Sequence, residues 1–276
     1  MKWGNLRSSE HLEDRRGKVP VKRGIGLGGV LFALAISWFF GINPMTVLSV
    51  LDSGQSVVSE RPVANSSKPQ SQEVKFVRAI LGDLEDTWTQ LLPQAYRPAK
   101  LVLFQSSVKS ACGRASSATG PFYCPADYKI YLDLSFFREL SQRYQASGDF
   151  AQAYVIAHEK GHHIQQLLGT STKVHQAQRS LGKAQSNALS VRLELQADCY
   201  AGLWAHYAEK RNLLDSGDLI EALKAATEIG DDRLQMRSQG YVVPESFTHG
   251  SAVQRTKWFK RGFKSGHLSA CNTFGS

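Results

Sequence analysis

The segment Val155-Ile156-Ala157-His158-Glu159-Lys160-Gly161-His162 limits the possible folds more than any other, because the polar groups of H-E-x-x-H converge only when the segment is helical. Residues i and i+4 lie one turn apart on one face, so His158 and His162 can share a metal ion while Glu159 flanks it without ligating. The pattern supplies two ligands and a base. Its surroundings agree. Residues 151–168 contain no proline, Tyr154, Val155, Ile156, Ala157, Ile164, Leu167 and Leu168 make the helix apolar enough to bury, and Gly169 provides a stop. Gly161 in mid-helix costs ~1 kcal/mol relative to alanine, which predicts close approach of another backbone at that point.

A catalytic zinc usually takes three protein ligands and a water, so a third donor must come from elsewhere. Glu194 is the candidate. It lies in Arg192-Leu193-Glu194-Leu195-Gln196-Ala197-Asp198-Cys199-Tyr200, a second helical pattern in which Asp198 follows at i+4 on the same face. Glu194 is then placed to ligate, and Asp198 to accept the outer N–H of a liganding histidine. Residues 163–193 leave room for a loop or helix and a reversal. His163 points about 100° away from His162 around the helix and reads as a structural or supporting residue.

HEKGH followed by ELQAD resembles the gluzincin arrangement of zinc peptidases. More closely, the chain resembles the bacterial putative neutral zinc metallopeptidase family. The likeness runs from about residue 76 to 274 and is carried by GPFYCPAD at 120–127, GDFAQAYVIAHEKGHHIQ at 148–165, RLELQADCYAGLWAH at 192–206 and SFTHG at 246–250; the N-terminal layout is also similar. The resemblance implies a membrane-tethered zinc hydrolase acting on peptides or proteins, with one catalytic Zn2+ held by His158, His162 and Glu194. In the mechanism this implies, Glu159 removes a proton from water and later delivers it to the leaving amine. An oxyanion donor is also needed. His249 is the first candidate and Arg255 the second; the turn around Phe247-Thr248-His249-Gly250 precedes a basic, aromatic helix over 252–263. The other reading of His249 is a turn histidine that caps that helix.

Ahead of this domain the chain changes character. Residues 1–23 hold seven basic side chains against three acidic ones, a net +4, and no charged residue occurs from 24 to 51. A run of this kind is long enough for a membrane span of ~20 residues, closed by Asn43-Pro44. The positive-inside rule then predicts a basic cytoplasmic tail over 1–23, a transmembrane helix over 24–43, a Ser/Gln/Pro-rich linker over 44–72 and an extracytoplasmic domain over 73–276. In a bacterium that is a single-pass protein of the inner (cytoplasmic) membrane. A cleaved signal peptide would need a shorter core and a small-x-small site, and no such site follows Phe40.

Cys112, Cys124, Cys199 and Cys271 all fall in the proposed exported domain, and an even count there predicts disulfides. Three pairings exist in principle. Cys112 with Cys124, flanking a Gly/Ser-rich loop, and Cys199 with Cys271 is the favoured set, and no C-x-x-C spacing recommends a cysteine zinc site. Residues 74–92 read as an amphipathic helix, 100–106 and 129–134 as short strands, and 218–228 and 251–264 as helices. One of the two strands is expected to form an edge that pairs with an extended peptide. The fold class is therefore α+β, a helix-dominated zincin-like domain with a small sheet after one N-terminal transmembrane helix.

The formal charge of +9 brings nucleic acid into consideration, but no binding motif accompanies it and none is expected as a partner. Acidic lipid head groups and solvent account for the excess better. The competing functional class is a zinc-stabilised extracytoplasmic binding module without turnover. A structural zinc normally has a closed shell of four ligands, whereas this sequence nominates three and a base.

Overall fold

The computed structural model describes residues 1–17 and 71–275. Its elements are β1 (Leu12–Asp14), α1 (Gln72–Leu91), β2 (Lys100–Phe104), β3 (Ser107–Ser110), β4 (Gly113–Ser116), β5 (Phe122–Cys124), β6 (Lys129–Asp133), α2 (Ser135–Gln142), α3 (Asp149–Leu167), α4 (Thr170–Gln178), α5 (Lys183–Lys210), α6 (Asp218–Glu228), α7 (Asp231–Gln239) and α8 (Ala252–Ser265). Helix dominates and the sheet is small, as the α+β reading expects.

The four-stranded sheet has the order β1-β2-β6-β5, with β5 antiparallel to β6 and the other pairs parallel. Strand alternation sends Leu101, Leu103, Ile130 and Leu132 into the helical core, while Val102, Phe104 and Tyr131 pack with Val108 of the separate β3–β4 hairpin. Burial on both faces is why β2 reads as an unbroken apolar run. The two strands anticipated from sequence are therefore interior, and neither is a free edge. The edges are β1 and β5, since strand order depends on pairing between distant segments.

Helix α3 runs through the centre of the core. Phe150, Ala153, Tyr154 and Ile164 are fully enclosed, and Phe150 stacks on Trp204 of α5 with ring centroids 5.7 Å apart. Its first turn lacks a side-chain cap of its own; Glu221 of α6 accepts from the Phe150 N–H at 3.0 Å instead. Gly161 faces the α5 backbone, where a Cβ would meet the Ala197 Cα and carbonyl oxygen at 3.0 Å. That is the close approach its position in the helix predicts. Helix α8 starts from a Ser251–Gln254 capping box, ends at the left-handed Gly266, and packs on α5 through Gly202 and Gly262, each too close to the opposite backbone for a Cβ. These contacts fix the spacing of α3, α5 and α8, the three helices that build the site below.

Both expected disulfides are formed. Cys112–Cys124 ties the hairpin to β5, and Cys199–Cys271 ties α5 to the C-terminal segment.

The N-terminal end differs from expectation. Met1–Arg16 belongs to the same compact unit as the residues from Gln70 onward, where the sequence reads as a detached basic tail over 1–23. Strand β1 pairs in parallel with β2, Leu12 opposite Leu101, and Trp3 packs edge-on against Phe76. Three of the cations that resemble a topology signal are neutralised locally: Arg7 by Asp86 and Glu85, Arg15 by Glu13, and Arg16 by Asp14. A three-residue strand is too short to show a period in sequence. The expected span over 24–43 lies outside the described residues, as does nearly all of the linker. Among the described residues no helix is long and apolar enough to cross a membrane.

Candidate metal centre

Helix α3 presents His158 and His162 one turn apart, and α5 crosses it at Gly161 to bring Glu194 against both. The Glu194 carboxylate lies 3.1 Å from His158 Nε2 through Oε2 and 3.4 Å from His162 Nε2 through Oε1. One ligand atom from each of the three residues falls within 4.8 Å of the others. The two imidazole planes are perpendicular with centroids 4.8 Å apart, so their Nε2 atoms converge from different directions. The donor set, two imidazoles and one carboxylate, matches what a catalytic zinc takes from a protein.

Each histidine is oriented from behind. His158 Nδ1 donates to Asp198 Oδ1 at 2.9 Å, which leaves Nε2 free to ligate. Asp198 has no exposure to solvent, and it also accepts from the Tyr154 hydroxyl at 2.5 Å and from Arg255 Nε and Nη2 at 2.9 and 3.0 Å. Burial opposes ionisation of Asp198, yet Arg255 and His158 hold its carboxyl below the usual range. Glu194 behaves likewise, with the two imidazoles outweighing burial to keep it ionised.

His162 has a partner that sequence reasoning missed. Its Nδ1 donates to Gln165 Oε1 at 2.9 Å, while Gln165 Nε2 donates to the Leu193 carbonyl at 2.6 Å and to Gln196 Oε1 at 3.2 Å. Gln196 in turn donates to the Cys271 carbonyl at 2.9 Å. The tautomer of His162 is thus set through three residues to the disulfide-bonded end of the chain. The only sequence signal was position: Gln165 falls at i+3 from His162 on an apolar helix, where a buried amide needs partners. Gln165→Leu is expected to weaken zinc binding about 10- to 100-fold, as measured by chelator competition. Unchanged affinity would remove Gln165 from this role.

Glu159 is 8% exposed and close enough to His162 to act on its charge, and among the described residues no side chain hydrogen-bonds to its carboxylate. It is the acidic group beside the three donors that is not tied up. Lys160 points the other way, into the core, where its Nζ meets the Tyr96 hydroxyl at 3.3 Å and burial lowers its pKa to about 8. His163 is also turned away, between the Arg97 carbonyl at 2.6 Å and the Tyr123 hydroxyl at 3.1 Å; burial pushes it down to about 4, so it is a neutral packing group.

Arg255 departs from the sequence expectation of an oxyanion donor. It is 2% exposed, and its guanidinium is taken up by Asp198, by the Tyr154 hydroxyl at 3.2 Å and by the Ile229 carbonyl at 3.1 Å. It acts on the centre only through Asp198 and His158. A cation four residues into a basic helix gives no sequence sign of which face is buried.

His249 sits in the turn before α8 and does not cap it, since Ser251 does. Asp231 grips this turn: its Oδ2 accepts from the N–H groups of Thr248, His249 and Gly250 at 2.7, 2.6 and 3.0 Å, and its Oδ1 lies 3.2 Å from His249 Nδ1. Gly250 backs onto Val191 and Leu195 of α5, which flank Glu194. The Asp231 hydrogen bond raises the pKa of His249 against its partial burial.

A second group of carboxylates, Asp149, Asp218 and Glu221, lies at the start of α3. The Met1 amino group lies 2.9 Å from Asp149 and 3.4 Å from Asp218, one positive charge against the three carboxylates.

Comparison with known proteins finds a family and relatives. The family model described as "Putative neutral zinc metallopeptidase" matches residues 1–274. The "Uncharacterized protein YpfJ" of Escherichia coli (strain K12) is 45% identical over 288 residues, covering 100% of this chain and 99% of that protein. The "Uncharacterized protein Rv2575" of Mycobacterium tuberculosis (strain ATCC 25618 / H37Rv) is 43% identical over 212 residues, covering 72% of this chain and 70% of its own. No solved structure matches.

Proposed function

The chain belongs to the Putative neutral zinc metallopeptidase family, and from that premise we propose that it is a zinc-dependent peptidase whose ion is held by His158, His162 and Glu194. The observation that carries the reading is the convergence of these three donors beside Glu159, a carboxylate with no hydrogen-bonding side chain of its own among the described residues. Zinc, when bound, supplies Lewis acidity, bringing the pKa of water to ~7 and polarising a carbonyl. Glu159 takes the proton released by the attacking water and hands it to the departing amine, so its position matters more than its basicity. Asp198 and Gln165 keep His158 and His162 in the tautomers that leave Nε2 free.

His249 is assigned the donor role toward the oxygen of the attacked carbonyl. Protonated imidazole donates better than neutral, and Asp231 favours the protonated form. The sign follows: a raised pKa keeps the donor charged to higher pH, and activity falls as pH rises through it. Asp231→Asn is therefore expected to move the alkaline limb of the kcat profile to lower pH. A limb that stays in place would detach His249 from the reaction.

The two disulfides favour an oxidising compartment as the place of work, and the uncharged run over 24–43 is assigned to membrane attachment. The substrate is a peptide or an unfolded protein segment. The deciding experiment is on the full chain: zinc content by metal analysis, with cleavage of an unfolded peptide library before and after chelation and zinc restoration. Zinc near one per chain with chelator-sensitive cleavage supports the reading. Bound zinc without cleavage favours a binding module, and absence of zinc would overturn both.

A further inference from the structure

We infer that residues 1–16 and the metal-bearing domain occupy the same side of any membrane the protein is attached to, so that the chain between them leaves and returns on one face. The support is the shape of α1. Three positions along one stripe of it, Arg78, Gly82 and Glu85, are formed around residues 7–11. A Cβ on Gly82 would come within 2.2 Å of the Arg7 carbonyl oxygen, so only glycine lets the segment lie against the helix. Arg78 uses both ends: its Nη1 donates to the Ser9 carbonyl at 2.8 Å, and its own carbonyl accepts from the Ser9 N–H at 3.1 Å.

Glu85 is the strongest witness. It is 4% exposed, and among the described residues all the side chains that meet its carboxylate come from the N-terminal segment: Arg7 Nη2 at 3.0 Å, Ser9 Oγ at 2.7 Å and His11 Nδ1 at 2.9 Å. A carboxylate enclosed without partners is strongly unfavourable, so a domain folded apart from residues 1–16 would carry both an exposed groove and a stranded charge. The segment continues into β1, with Leu101 N–H donating to the His11 carbonyl and Arg15 N–H to that of Leu103, both at 2.8 Å. Ladder bonds cannot form through a bilayer, where unpaired backbone groups are costly.

A single crossing between residues 16 and 70 would place the two parts on opposite sides, as the charge distribution alone predicts. Joined as they are, they allow only an even number of crossings, zero included. The uncharged run holds 28 residues, fewer than two spans of about 20 residues each require.

The test uses the full chain in bacterial spheroplasts, with one exposed cysteine added at a time: Asn5→Cys or Ser8→Cys in the segment, and Gln176→Cys on α4. A membrane-impermeant maleimide is applied before and after lysis, and zinc content confirms that each variant is folded. The expected result is the same ratio of labelling before and after lysis at the N-terminal positions and at position 176, whether all are accessible or all protected. Labelling of one part in intact spheroplasts, with the other labelled only after lysis, would overturn the inference. The two N-terminal positions guard against a variant that fails to fold. The outcome does not depend on whether the protein cleaves peptides.

Discussion

Glu159→Gln is expected to retain zinc at the wild-type stoichiometry and to lower kcat/KM on any cleaved peptide by about 10²- to 10⁴-fold, the usual worth of a positioned acid–base group. The amide fills the same space beside His158 and His162, so the ligand set formed by those residues and Glu194 is undisturbed. What is lost is a site to receive a proton. His162→Ala makes the contrast, because it removes a donor and zinc should be lost with activity. Metal analysis and kinetics on the same preparations separate the cases. Loss of zinc in Glu159→Gln would show that Glu159 ligates, and undiminished turnover would show that it is not the base.

The second large effect is on stability. Arg255→Leu takes the guanidinium from Asp198, which has no exposure to solvent, leaves His158 as its one remaining partner able to carry positive charge among the described residues, and is expected to cost about 3–5 kcal/mol in denaturant unfolding of the metal-free protein. Zinc should also bind more weakly, since His158 is steered by Asp198. Because Arg255 holds the Asp198 carboxyl below its usual range, the contribution of the pair is fully present above about pH 4 and is lost as pH falls through the depressed value. The gap between wild type and variant should therefore narrow in acid. Adding Asp198→Asn to Arg255→Leu removes the stranded charge and should recover much of the loss. An arginine acting as a direct oxyanion donor would behave otherwise, with kcat reduced and the unfolding midpoint unmoved.

The metal centre was legible where its logic is local. His158, Glu159 and His162 lie within one turn and a fraction, and Glu194 and Asp198 within another, so helical spacing alone groups them. Gly161 also spoke in advance, because a mid-helix glycine implies a neighbour. Gln165 and the role of Arg255 were hidden, since each is defined by which distant backbone or carboxylate it meets after α3, α5 and α8 pack. Strand order was hidden for the same reason: the runs at 100–106 and 129–134 read as strands, but their interior places depend on β1 and β5. Residues 1–16 misled most. Their cations, counted along the sequence, look like a flank of a membrane span; in three dimensions Arg7, Arg15 and Arg16 each face a carboxylate.

The Asp198–Arg255 pair also bears on the order in which the protein can become itself. Synthesis delivers the ligands and the base by residue 194, but the guanidinium that balances Asp198 follows 57 positions after it, and Cys271, whose carbonyl steadies the Gln196–Gln165 line, follows 75 positions after Gln196. A nascent chain, or one cut short after α5, carries all three candidate ligands and the base without a framed site. Intact motifs are thus a poor guide to whether a truncated relative or a C-terminally clipped product can hold its metal.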